Sequence, residues 1–248
     1  MDLTEKNVIE HLSELRKRII ITLTFFILTL FGSFIFVKDI HNFLVKDLND
    51  QLAILGPGDI LWIYMAIAGF SAITLTIPVA ALQIWLFVKP GLKKEEQKVT
   101  LAFIPGIFIL FLSGISFGYF VLFPIVLSFL QNLAGDQFET FFTVDKYFRF
   151  MINLTLPFGF LFEMPAVVMF LTRLGIINPQ RLAKTRKVSY FVLIVVSVFI
   201  TPPDFISDIL VIIPLLLLYE FSITLSKIVY RKKIALEQSL MQSNEKTA

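Results

Sequence analysis

Phe158-Gly-Phe-Leu-Phe-Glu-Met-Pro165 is the stretch on which the fold turns. It is a hydrophobic run with a single acid, Glu163, in its middle. It lies inside an apolar segment, Phe148 to Thr172, long enough to cross a bilayer. A carboxylate at that depth is costly unless it is neutralised, wetted or paired. Pro157 and Pro165 flank the acid, which predicts a bent helix. An acid on a bent helix in lipid is either a paired structural group or part of a transport path.

The rest of the composition agrees with a membrane setting. Of 248 residues 56% are hydrophobic, 28 are Phe, and only 17% are charged. A soluble domain carries about a quarter charged residues. The sequence therefore predicts an all-α integral membrane protein with one helical domain. There is no cysteine and there are only two histidines, His11 and His41. Disulfides and thiolate chemistry are excluded, and little is left for a metal or a catalytic triad. No P-loop, HExxH or Gly-rich dinucleotide turn occurs, so neither cofactor, metal nor catalysis is expected. Nothing reads as a nucleic-acid patch. The first 18 residues hold eight charges of both signs, unlike the short basic start of a signal peptide, so the first helix is expected to remain as an anchor.

Residues 4–18 show the 3–4 spacing of an amphipathic helix through Val8, Ile9, Leu12, Leu15 and Ile19. Six apolar stretches follow: Ile19–Val37, Leu61–Val88, Val99–Leu130, Phe148–Thr172, Val188–Ile200 and Ile209–Ser226. The fifth is 13 residues, so it reaches roughly 20 Å, short of a ~30 Å hydrocarbon core. The sixth is also short, which predicts local thinning of the bilayer there. Prolines at 78, 105, 124, 157, 165 and 214 predict a kinked, curved bundle. The domain reading is a cytoplasmic amphipathic helix at 1–18, a six-helix transmembrane domain at 19–226 and a polar, disordered cytoplasmic tail at 227–248.

Lysine and arginine set the orientation. With the N-terminus inside, 18 of the 22 basic residues fall in segments 1–18, 89–98, 173–187 and 227–248. That bias predicts an N-in, C-in topology.

Three polar motifs sit at the ends of the spans. The first is His11-Leu-Ser-Glu-Leu-Arg-Lys-Arg18. Glu14 and Arg18 are spaced as an i,i+4 pair, or else Glu14 offers a carboxylate at the membrane edge to a basic ligand. The second is Phe87-Val-Lys-Pro-Gly-Leu-Lys-Lys-Glu-Glu-Gln-Lys98. Its acids either favour a helix N-terminus or form a second acidic site on the same cytoplasmic face. Two carboxylates there would suit two guanidiniums, each held by a fork of hydrogen bonds. The third is Thr201-Pro-Pro-Asp-Phe-Ile-Ser-Asp208, either a stiff hairpin with Asp204 as a cap or a polar cluster for a partner helix. Glu220 reads as structural, and Gly114-Ile-Ser-Phe-Gly118 as a site of close helix packing.

Together these motifs resemble the TatC family, the polytopic component of twin-arginine protein translocases. The likeness covers about residues 8–230. It rests on His11-Leu-x-Glu14-Leu-Arg-x-Arg18, Phe87-Val-x-Pro90-x-Leu92-x-Lys94-x-Glu96, Phe158-Gly-x-x-Phe162-Glu163-x-Pro165, and Leu174-Gly175 followed by Thr201-Pro-Pro-Asp204. The resemblance implies a receptor for signal peptides with two consecutive arginines. It implies export of folded proteins across the bacterial cytoplasmic membrane, driven by the proton-motive force, with TatA/TatB-type single-span partners and self-association in a complex. It assigns twin-arginine contact to Glu14 and Glu96, with Phe87 and Lys94 nearby. It puts Glu163 on a concave face, and partner docking along helices five and six near Thr201, Asp204 and Asp208. Two readings compete with it: a proton-coupled small-molecule transporter using Glu163, and a purely structural membrane subunit. The absence of inverted repeats and the acids outside the membrane count against the transporter.

Overall fold

The computed structural model describes residues 3–46, 52–91, 97, 101, 103–134, 142–201 and 205–247. The regular structure of the described residues is helical, with one isolated bridge, Ala53 to Thr143, and no strand among them. Five segments are long and apolar enough to cross a membrane: Glu10–Ile35, Pro57–Gly91, Ile104–Leu133, Val144–Arg173 and Phe205–Ala235. They answer to the first four and the sixth of the expected stretches. The chain divides into two compact units, one of residues 1–112 and 134–152, the other of 113–133 and 153–248.

In the first unit α1 (Leu3–Ile35) lies along α3 (Pro57–Val88), and the short α2 (Val37–Val45) also packs on α3. The amphipathic start and the first span are thus one helix. No Gly or Pro falls between residues 4 and 31 to break it, and Lys, Arg, Glu and Leu all favour helix. Along α3 the buried residues fall in two i,i+4 pairs, Ile63 with Ile67 and Ala68 with Ala72. The two alanines let a neighbour approach closely, which matters where lipid removes the hydrophobic drive for helix pairing. Hydroxyls turn back on their own helices: Thr22 donates to the Arg18 carbonyl at 3.0 Å and Thr76 to the Ala72 carbonyl at 2.7 Å. The start of α3 is fixed by Asp59, whose carboxylate accepts from the Leu55 and Gly56 amides at 3.1 and 2.9 Å, with Pro57 in the first turn. At the other end of this unit Arg149 stacks 3.8 Å over the Trp62 ring and pairs with Asp145 at 2.7 Å.

In the second unit the two glycines of the GxxxG match allow close approach. A Cβ at Gly114 would lie 2.8 Å from the Phe162 Cβ, and one at Gly118 would lie 2.9 Å from the Thr155 Cα. These contacts join the end of α4 (Phe103–Phe117) to α6 (Val144–Phe162). Between α4 and α5 (Phe123–Ala134) the chain makes a π turn, Gly118–Leu122, closed by the Phe123 amide on the Gly118 carbonyl. Pro124 follows at once. A proline clashes with the carbonyl four residues back, and the wider turn relieves that.

The expected bend in the fourth span is a break. α6 ends at Phe162, α7 (Met164–Arg173) begins after Glu163, and Pro165 stands in its first turn. Pro157 is carried inside α6 without ending it. After α7 comes a glycine cap: Gly175 has φ +79°, and the Gly175 and Ile176 amides donate to the Thr172 and Leu171 carbonyls, each at 3.0 Å. That is the structural content of Leu174-Gly175. Then follow α8 (Pro179–Lys184), α9 (Arg186–Ile200) and α10 (Phe205–Thr247), with α7, α8 and α9 all packed on α10. Buried Thr172 and Ser226 share a hydrogen bond at 2.7 Å between α7 and α10.

Two expectations change here. α9 is short, with 15 residues, about 22 Å at the α-helical rise. The sixth helix is not short: α10 has 43 residues. Hydropathy falls at Lys227, but the residues beyond it are good helix formers, so the helix runs on through the tail that composition marks as disordered.

Candidate binding site at the end of α1

The first two motifs meet. α1 brings His11, Glu14 and Arg18 beside the last turns of α3, where Gln83 and Phe87 stand. The His11 and Phe87 rings are 4.4 Å apart and tilted by 31°. Arg18 donates through Nη2 to Glu14 Oε1 at 3.1 Å and through Nη1 to Gln83 Oε1 at 3.3 Å. Arg18 and Glu14 are each partly open, with 24% and 32% of the side chain exposed. Below them runs an apolar groove of about 430 Å³ between α1 and α3, walled by Leu15, Ile19, Phe26, Ile77, Ala80 and Phe87. Thr22 and Thr76 also line it, with their hydroxyls already spent on backbone carbonyls.

After α3 a 3₁₀ turn, Lys89–Gly91, carries Lys89 over the Trp85 ring at 5.2 Å. The Gln97 amide donates back to the Lys89 carbonyl at 3.3 Å. Lys94 and Glu96, the other candidates of the second motif, lie outside the described residues, as does Asp204 of the third.

Glu163 stands at the N-cap position of α7, but its side chain makes no cap hydrogen bond. Its Oε1 is buried and has no hydrogen-bond partner among the described residues, so the pairing that a purely structural acid requires is not found for that atom. In the third motif Thr201 and Asp208 meet each other: the Thr201 hydroxyl donates to Asp208 Oδ1 and also contacts the Ser197 carbonyl at 3.0 Å. Thr201 is buried. The hydroxyl of Thr201 and Oδ1 of Asp208 therefore satisfy each other, while the Asp208 side chain stays half-buried.

Two partnerships escape the sequence. Gln83 enters no motif, though a buried amide in an apolar helix is a signal in itself. Arg186 counts there only toward topology, yet it donates to Glu220 Oε2 at 2.8 Å, and Tyr190 donates to Oε1 at 2.6 Å. Tyr219 next to it donates to the Leu182 carbonyl at 2.9 Å. This cluster ties α8, α9 and α10 together. Nothing in the local sequence pairs groups that lie 30 or 34 residues apart.

Such a chain is a polytopic helical membrane protein whose polar groups gather at helix ends and breaks. The chain belongs to the TatC family. The family described as Sec-independent protein translocase protein (TatC) matches residues 10–214. The chain is 65% identical to the Sec-independent protein translocase protein TatCd of Bacillus subtilis (strain 168), over 94% of this chain and 97% of that one. It is 44% identical to the TatC of Halalkalibacterium halodurans, over 96% of each. A crystal structure described as the twin arginine translocase receptor TatC superposes with a TM-score of 0.78 at 34% identity, covering 88% of this chain and 99% of that one. The family is one of translocase components, not of catalytic enzymes, and its members are multi-pass proteins of the bacterial plasma membrane. The small-molecule transporter reading finds no support among these relatives.

Proposed function

We propose that this chain is the receptor for twin-arginine signal peptides in a translocase that exports folded proteins. The observation that carries the proposal is the ring contact of His11 with Phe87, which joins two separate motifs at one end of α1 and α3 beside an apolar groove, with Glu14 on the same helix as His11 and paired with Arg18, which lines that groove. Arginine stays charged and presents a planar fork, so a fixed carboxylate can tell it from lysine by geometry as well as charge. Glu96 is the second carboxylate and Lys94 its neighbour in this reading. The chain crosses the membrane six times with both termini in the cytoplasm, α9 being the shallow span. The thinned edge at α9 and the start of α10, near Thr201, Asp204 and Asp208, is where TatA/TatB-type single-span partners dock. Glu163 is a polar point on a wall that meets the inserted peptide, and the proton-motive force drives transport. Photo-crosslinkers at positions 14 and 96 test the core of this: adducts must form with an Arg-Arg peptide and fail with its Lys-Lys counterpart.

A further inference from the structure

We propose that Arg18 is a resident stand-in for the ligand arginine at Glu14, and that Gln83 receives Arg18 when the ligand arrives. This rests on Glu14 being an arginine-binding carboxylate. Arg18 already sits between two acceptors on different helices, Glu14 Oε1 at 3.1 Å and Gln83 Oε1 at 3.3 Å. It touches Glu14 through a single oxygen. An incoming guanidinium that forks onto both oxygens makes the stronger pair. The resident pair is an i,i+4 contact with both side chains partly exposed, and such pairs are weak. Arg18 is therefore displaceable.

Gln83 supplies the other half of the exchange. It is buried at 9% exposure in an apolar stretch of α3, where an amide oxygen without a donor is costly. It holds Arg18 when Glu14 lets go, so no charge is stranded. The competition also sharpens specificity. A lysine offers Glu14 a point contact like the one Arg18 already makes, and gains nothing by displacing it. Arg18 and Gln83 act here through Glu14, as positioning residues.

The experiment is peptide binding to the full-length protein in nanodiscs, read by fluorescence anisotropy, with an Arg-Arg signal peptide and its Lys-Lys counterpart. Arg18→Gln should tighten Arg-Arg binding by roughly two- to fivefold, the scale of a partly exposed pair, and narrow the gap between the peptides. Arg18→Lys, which keeps the charge, should fall between wild type and Arg18→Gln. Gln83→Leu should weaken Arg-Arg binding in the wild-type background and change nothing once Arg18 is Gln. Equal weakening in both backgrounds would mean that Gln83 serves the peptide or the fold directly and would overturn the exchange, as would weaker binding by Arg18→Gln. A wild type that does not distinguish the two peptides removes the receptor reading itself, a separate failure seen before any variant is made.

Discussion

His11 on α1 and Phe87 on α3 hold their rings 4.4 Å apart, so two motifs far apart in the sequence share one contact. Phe87 is also a wall of the apolar groove. Phe87→Ala should lose the ring pair, about 1 kcal/mol, and open the groove. The expected result is a modest drop in thermal stability in detergent and a larger loss of peptide binding. Phe87→Trp should keep most of both.

The clamp of Arg186, Tyr190 and Glu220 makes a separate forecast. Glu220→Ala leaves Arg186 and Tyr190 without their shared acceptor. The unfolding midpoint should fall by a few degrees, with cleavage by added protease rising between α8 and α9. Exchanging the charges, Arg186→Glu with Glu220→Arg, should recover part of the loss. No recovery would mean that the pair contributes through packing alone.

Three glycines with different surroundings should respond differently to alanine. Gly114→Ala meets the Phe162 Cβ at 2.8 Å, and overpacking of this kind costs about 1–3 kcal/mol. Gly175→Ala is strained by φ +79°, at about 1–2 kcal/mol, and crowds the Lys233 ammonium at 3.0 Å. Gly69 has nothing within 4 Å of an added Cβ and lies inside α3, so Gly69→Ala should stabilise slightly through helix propensity. Thermal unfolding of the three variants side by side checks the ranking.

Glu163 stands at the break between α6 and α7 with Oε1 buried and unpartnered among the described residues. Glu163→Gln keeps size and hydrogen-bonding capacity without a charge, and should retain export. Glu163→Lys buries a longer, positive side chain and should fail, with Glu163→Ala in between. Failure of Glu163→Gln would point instead to obligatory proton carriage at this position.

What is legible in the sequence depends on range. Proline, glycine and hydropathy are local, and they foretell the bend at Glu163, the packing at Gly114 and Gly118 and the short α9. Hydropathy marks where lipid begins rather than where a helix begins. That is why α1 starts well before Ile19 and α10 runs well past Ser226, and why α2 and α8, which are too short to span, leave no mark in it. The i,i+4 pair of Glu14 and Arg18 can be read from spacing. The Gln83 bond to the same Arg18 and the Arg186–Glu220 pair cannot, because they exist only once helices pack. Motif likeness links the first two motifs without geometry, and the His11–Phe87 ring contact supplies it.

The receptor reading is tested most directly by photo-crosslinking at positions 14 and 96 in full-length protein, with an Arg-Arg signal peptide and a Lys-Lys control. The account predicts adducts at both positions that depend on the arginines. Adducts that form equally with Lys-Lys, or none at all, would contradict it.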